Sequence, residues 1–369
     1  MSKIKKPKRV VIKIGSRTLT GPDGRIDGSH MRDFVKETAR LHERGLDIVV
    51  VSSGAIRTGA PMLNLDPANI SINQKQAAAA VGQGMLIARY SELFSAHGIV
   101  AAQALLTPDV INDRRKYLNA RNTLRALLAL RALPIVNEND TVAIEEIKFG
   151  DNDRLAAMTA ILVDADLLIN LSDVSGLCSD DPAVCEDARL LETVTEITEE
   201  LFLKARGPRS GGSGGMATKL EAAQMCMDSG IKMIIADGST PSVMSRVIDG
   251  EKIGTTFVPQ PTPLSARKKW LIGCLPEGRI VVNDGAREMI QKKGKSLLPS
   301  GIVAVKKKFD RGACVQVCGE SGMCFAKGLT SYSSEEIKKI MGRQSSDIFN
   351  MLGHKISDDV IHRDDLTLF

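Results

Sequence analysis

Aromatic side chains make up only 4% of this sequence, with a single Trp. Proteins that hold single-stranded nucleic acid stack its bases on aromatic rings, so an extended platform of that kind is not expected. Nowhere do apolar residues run on for the roughly 18 positions that suggest a membrane-crossing helix. The basic start leads into Val10-Val11-Ile12, but Lys13 interrupts the run before it reads as a secretory leader. The seven cysteines form no metal-binding arrangement. Only Cys314, Cys318 and Cys324 cluster, with no His beside them, and zinc would need a fourth ligand and a tighter spacing. Cys314 and Cys318 alternate with Val315 and Val317 as on a strand, and the cysteines, Cys324 included, read as small apolar filler in a reducing compartment. The expectation is a cytoplasmic protein with no membrane partner.

What is present is ordinary globular material. The chain has 369 residues, 43% apolar and 25% charged, enough for a sizeable core and for two or three domains. The net charge of +5 comes from a short tail. Lys3, Lys5, Lys6, Lys8 and Arg9 precede or open the first strand, and without them the remaining 44 basic residues balance 44 acidic ones. Such a tail reads as a solvated end. The stretch from Glu277 to Thr330 is locally basic, a possible phosphate footprint.

Up to about residue 258, short apolar runs alternate with helical stretches. Buried-strand runs are Arg9 to Ile14, Leu46 to Val51, Ile99 to Leu106, Leu133 to Val136, Asp166 to Leu171 and Lys232 to Ala236. Helical spacing appears in Met31 to Arg44, Gln74 to Phe94, Arg115 to Leu130, Arg154 to Leu162 and Lys219 to Asp228. Near-continuous apolar strands separated by helices predict an α/β domain, with a mostly parallel sheet sandwiched between helices. Pro259, Pro261 and Pro263 then mark a linker, taken as 259–276 between a domain over 1–258 and one over 277–369. The last segment reads as a small, mainly β domain interrupted by a helix from Ser334 to Met341.

Two glycine patterns mislead. Gly212-Ser213-Gly214-Gly215-Met216-Ala217 fits a dinucleotide fingerprint, but a polar loop precedes it where a strand is required. No G-x-x-x-x-G-K-[ST] motif occurs. The stretch still opens a helix, with Lys219 in the first turn. It is either a flexible linker or a cradle whose backbone N–H groups and Lys suit phosphate oxygens. Lys13 poses a similar choice. A Lys inside an apolar strand either faces solvent from a sheet edge or points into the crevice at the strand's carboxyl end, with Gly15 letting an anion approach. Ser52-Ser53-Gly54 closes the second strand in the same manner. Asn137-Glu138-Asn139-Asp140 follows another strand, then Glu145-Glu146-Ile147-Lys148 and Gly150-Asp151-Asn152-Asp153 open a helix, where Asp151 or Asn152 could act as a cap. Ser172-Asp173 ends a further strand. The lysines and glycines suit phosphates, and the carboxylate–amide cluster suits a small polar ligand with an ammonium group. No His, Cys or Ser–His pair lies in these clusters, so acyl-transfer chemistry lacks its base. Phosphoryl transfer to a carboxylate needs none, because that nucleophile is already ionised at pH 7.

The segments VVIKIGS, SSGA, VNENDTVA, EIKFGDND, NLSD and SGGMATK, with their order and spacing, resemble the glutamate 5-kinases of the amino acid kinase superfamily. The resemblance spans essentially the whole chain, including a C-terminal PUA domain. It implies ATP-dependent phosphorylation of the γ-carboxylate of L-glutamate, the first step of proline synthesis. By position, Lys13 and Lys219 would flank the transferring phosphoryl group, and Asp153 would hold them. Ser53, Asp140 and Asn152 would bind glutamate. Lys13, Gly15, Ser172, Asp173 and the run Ser213, Gly214, Gly215, Met216, Ala217, Thr218 and Lys219 would contact ATP. Mg2+ would be held mainly by the ATP phosphates, with no protein metal ligand. Feedback inhibition by proline and a homo-dimer or tetramer are also implied. Ser172 and Ser213 stand where the family commonly has Thr, and Cys178 where an aromatic is usual. Two other readings are an RNA-binding protein acting through the PUA domain and a related kinase with another acidic substrate.

Overall fold

A computed structural model of the chain describes residues 6–19, 28–66, 69–107, 110, 114–142, 152–180, 185, 187–205, 215–259, 271 and 274–368. The chain divides into two compact units, Met1–Thr262 and Pro263–Phe369.

The first unit is built on an eight-stranded sheet. Its strands are β1 (Arg9–Ile14), β2 (Asp47–Ser52), β3 (Ala101–Leu106), β4 (Leu133–Glu138), β5 (Leu167–Ser172), β6 (Thr193–Val194), β7 (Lys232–Asp237) and β8 (Thr255–Phe257), in the order β3-β4-β2-β1-β5-β7-β8-β6. Pairings are parallel except that between β7 and β8. Both faces of the central strands are covered, which is why they read as unbroken apolar runs. Val10, Val11, Ile12 and Ile14 are all buried.

One face packs against α1 (Gly28–Glu43), α3 (Ile72–Ser95) and α7 (Val243–Ile248). Val10, Ile12, Ile48, Val50 and Ile135 meet Phe34, Leu86, Tyr90, Phe94 and Val247 there in one cluster. Side chains alternate along a strand, so Val11, Lys13 and Val49 face the other way. That second face is covered by α5 (Asn152–Val163), which touches β1, β2, β4 and β5 and is flanked by α4 (Arg114–Ala129) and α6 (Met216–Asp228). Every residue of α5 from Leu155 to Val163 is buried. Its apolar, alanine-rich sequence has no polar face because it has no solvent face.

A short helix, α2 (Ala55–Gly59), leaves the end of β2 and crosses α3 backbone to backbone. A Cβ on Gly59 would lie 1.9 Å from the carbonyl oxygen of Ala78, and one on Gly82 would lie 1.8 Å from that of Ala55. Glycine in a helix interior costs about 1 kcal/mol relative to alanine, and here it permits this contact. Gly82→Ala is therefore expected to destabilise the unit by about 3 kcal/mol, the upper end for overpacking, because the obstacle is backbone. Gly84, on the same helix, has open space around its Cβ position, so Gly84→Ala is expected to be neutral or slightly stabilising. Urea titration of both variants checks this. Equal midpoints for the two would refute it.

The second unit is a five-stranded sheet of β9 (Gly278–Val282), β10 (Ile302–Lys306), β11 (Cys314–Gly319), β12 (Cys324–Leu329) and β13 (Leu366–Leu368), in the order β10-β9-β11-β12-β13. Two helices of seven or more residues accompany it among the described residues, beside the short helix Ile348–Leu352. α9 (Ser334–Ile340) starts with a capping box between Ser333 and Glu336. α8 (Asp284–Lys293) is not legible as a helix from its apolar spacing, since Ile290 is its single buried residue. The Asn283 side chain, which accepts a hydrogen bond from the Ala286 amide, caps its start, and Gly294 at φ 57° ends it.

The reading of Cys318 and Cys324 as apolar filler is corrected. Antiparallel pairing of β11 with β12 sets the two opposite each other, and a disulfide joins them. Cys314 is buried and takes no part in that disulfide. No helix among the described residues is long and apolar enough to cross a membrane.

Candidate active site

Lys13 is not on an edge. β1 lies between β2 and β5, and Lys13 stands in register with Val51 on one side and Asn170 on the other. Its side chain is 5% exposed, and its Nζ lies 2.7 Å from Asp153 Oδ1. The Asn170 amide donates to the same oxygen at 2.8 Å. The other carboxylate oxygen receives Lys219 Nζ at 3.0 Å and the Thr218 hydroxyl at 3.2 Å. Asp153 itself is fully buried. Taking such charges from water costs several kcal/mol per ion unless they are paired and hydrogen-bonded. Position does part of this here: Asp153 is the second residue of α5, where the helix dipole favours a negative charge. Four donors from β1, β5 and α6 converge on one carboxylate and fix where both ammonium groups sit.

A second cluster lies at the ends of β2 and β4. Gly54 adopts φ 107°, which a side chain would resist, and turns the chain after Ser53 into α2. Asn152 opens α5, yet its side chain does not cap the helix. Its amide nitrogen faces Ser52 O at 2.8 Å, Ser53 Oγ at 2.8 Å and Asn137 Oδ1 at 2.9 Å. The Asn137 amide nitrogen donates in turn to Gln83 Oε1 at 2.7 Å. Below them the hydroxyls of Ser52 and Tyr90 share a hydrogen bond of 3.1 Å. Burial pushes the Tyr90 hydroxyl well above its ordinary pKa, so it stays neutral and acts as a prop. Asp140 follows in the turn after β4, half-buried, next to Asn139, whose side chain accepts from Thr141 at 2.6 Å.

On the phosphate side, a Cβ at Gly15 would meet nothing nearer than 3.8 Å. Packing in the described residues does not demand a glycine there, while a ligand approaching the backbone would. Ser172 ends β5, and its hydroxyl donates to Asp173 at 3.2 Å. Gly215, Met216, Ala217, Thr218 and Lys219 form the start of α6. Gly215 offers no side-chain cap, which suits the first N–H groups to an anion. Ser213 and Gly214 lie outside the described residues, as do Glu145 to Lys148 and Gly150-Asp151. The structure thus unites Lys13, Asp153 and Lys219 in one contact and Ser53 with Asn152 in another. Both sit at the carboxyl edge of the sheet, where open α/β sheets bind ligands. Asn170 and Gln83 were missed. An Asn inside the apolar run Leu167 to Leu171 carried the same signal as Lys13, whereas Gln83 carried none.

The amino acid kinase family profile matches residues 8–237, and the PUA domain profile matches residues 278–352. The chain is 46% identical over 362 residues to a glutamate 5-kinase of Caldanaerobacter subterraneus subsp. tengcongensis, covering 98% of this chain and 97% of that one. It is 47% identical over 367 residues to a glutamate 5-kinase of Citrifermentans bemidjiense, covering 99% and 98%. Among solved structures, carbamate kinase from Giardia lamblia bound to AMP-PNP superposes with a TM-score of 0.51 at 20% identity, over 69% of this chain and 99% of its own. That likeness is one of fold. The RNA-binding reading and the reading with another acidic substrate are not favoured by these relatives.

Proposed function

The chain belongs to the glutamate 5-kinase family of the amino acid kinases, with a PUA domain after the kinase domain, and from that premise we propose how its residues divide the work. The reaction is phosphorylation of glutamate, which opens proline biosynthesis. A γ-carboxylate attacks the terminal phosphoryl group of ATP and gives an acyl phosphate and ADP. The observation that carries the assignment of roles is the buried Asp153 shared by Lys13 and Lys219.

Both reactants are anions, so the main barrier is bringing negative charges together. Lys13 and Lys219 supply positive charge where the transferring phosphoryl group would lie, and Asp153 holds them in place beforehand. Preset charge of this kind favours the transition state without reorganisation. Gly15, Ser172, Asp173 and the stretch Ser213 to Lys219 would hold the nucleotide. Mg2+ would neutralise the phosphates. Asp153, already committed to the lysines, does not suit it as a ligand, so the metal would ride on the nucleotide. Ser53, Asp140 and Asn152 would receive glutamate, with Asp140 suited to its ammonium group. The family resemblance also supports feedback inhibition by proline, a dimer or tetramer, and a cytoplasmic setting.

ATP turnover measured in parallel with glutamate, N-acetylglutamate and aspartate tests the substrate. Glutamate alone is expected to support turnover, and equal rates with N-acetylglutamate would overturn the reading. Asp140→Ala is expected to raise KM for glutamate at least tenfold, as loss of a partly buried charge pair does, with KM for ATP unchanged. A shift in the ATP constant alone would reverse the assignment of the two sides.

A further inference from the structure

β8 pairs antiparallel to β7 in a sheet that is otherwise parallel, so it starts near the carboxyl edge where the site lies. Thr255, its first residue, stands in register with Ile235 near the end of β7. Thr255 is fully buried, and a hydroxyl in such a place needs a partner. It accepts a hydrogen bond from the Leu177 amide at 2.8 Å, and its own proton faces the Leu177 carbonyl at 3.5 Å. Leu177 closes the stretch that follows Ser172 and Asp173. Among the described residues, Val174, Ser175 and Gly176 make no hydrogen bond. The Leu177 carbonyl, which also accepts from the Leu191 amide at 2.8 Å, belongs to the next peptide unit. Among the described residues, the unit between Gly176 and Leu177 is therefore held by the Thr255 hydroxyl alone, and Gly176 has no Cβ to restrain it. The approach is close: a Cβ on Gly176 would lie 2.5 Å from Thr255 Oγ1.

We propose that Thr255 is a positioning residue for the nucleotide: its hydroxyl pins the far end of the stretch from Asp173 to Leu177 and so holds that stretch where ATP is received. The proposal rests on the reading above, in which Ser172 and Asp173 contact ATP. The stretch leaves β5, passes β7 and ends against β8. β5 sets one end, through the pairing of Ser172 with Asp237, and Thr255 sets the other. Leu177 is itself buried, so loss of the hydroxyl leaves its N–H without an acceptor, and the stretch shifts to find one. ATP must then restore the order, and that is drawn from its binding energy. The glutamate side is separate. It lies at the ends of β2 and β4, across β1 from β5, β7 and β8.

Thr255→Ala removes the hydroxyl, and Thr255→Ser keeps it while losing the methyl group. Thr255→Ala is expected to raise KM for ATP about tenfold, the worth of one hydrogen bond, with KM for glutamate within about twofold of wild type. Thr255→Ser is expected to keep both constants within about twofold, because the acceptor for Leu177 remains. Steady-state kinetics with each substrate varied in turn make the measurement. A normal ATP constant in Thr255→Ala, equal shifts in both substrate constants, or a Thr255→Ser variant as impaired as Thr255→Ala would each overturn the proposal. The last of these would trace the effect to the packing of the methyl group. Should Thr255→Ala fail to fold, Thr255→Val, which keeps the volume and the branching, takes its place with the same expectations. Asp173→Ala with a normal ATP constant would instead overturn the reading of the nucleotide side itself.

Discussion

Asp153→Ala is expected to lose both activity and stability. Turnover should fall by more than about a thousandfold, since two preset charges lose their common anchor and a single electrostatic contact is already worth about a hundredfold or more. Breaking a buried ion pair from one side costs about 3–5 kcal/mol, because uncompensated charge stays behind, and Lys13 and Lys219 are both buried here. For a unit of this size that is a fall of roughly 6–20 °C in Tm. ATP should restore part of it, as its phosphates would meet the two lysines. Calorimetry with and without nucleotide, beside a turnover assay, makes the check. A variant with near-normal turnover would remove Asp153 from the mechanism.

How far this centre could be read from sequence depends on the range of the interactions. β1, β2 and β5 were legible because burial on both faces leaves an unbroken apolar run. The polar groups ending those runs, Lys13 with Gly15, Ser53 with Gly54, and Ser172, were legible because a polar residue in such a place needs a reason. What links them came from the family resemblance alone, not from the residues themselves. Asp153 contacts Lys13 and Lys219 from 140 and 66 positions away, and no local pattern encodes that. Asn152 looked like a helix cap because Asn at a helix start usually is one; its amide turns instead to the ends of β2 and β4. Gln83 lies in an alanine- and glycine-rich helix where a polar residue reads as surface. α8 escaped notice because its sequence buries only Ile290, and the Cys318–Cys324 bond because a separation of six residues does not reveal which hairpin register brings two cysteines together.

Lys219→Ala separates catalysis from folding. The lysine reaches Asp153 Oδ2 at 3.0 Å, but the carboxylate would keep Lys13, Asn170 and Thr218. The loss of stability should therefore be well below that of Asp153→Ala. Activity should behave differently. An ammonium that meets charge developing during transfer contributes to kcat and not to ground-state binding, and losing one such contact costs about 10²–10³ in kcat. The expected result is a folded enzyme with kcat lowered at least a hundredfold and both KM values within a few fold of wild type. Lys219→Arg is expected to stay impaired. Its planar guanidinium cannot replace a compact ammonium that is 7% exposed and set beside Thr218. Steady-state kinetics on the two variants, with Tm measured alongside, decide the matter. A kcat within tenfold of wild type in Lys219→Ala would take the lysine out of the transition state and leave it a structural partner of Asp153.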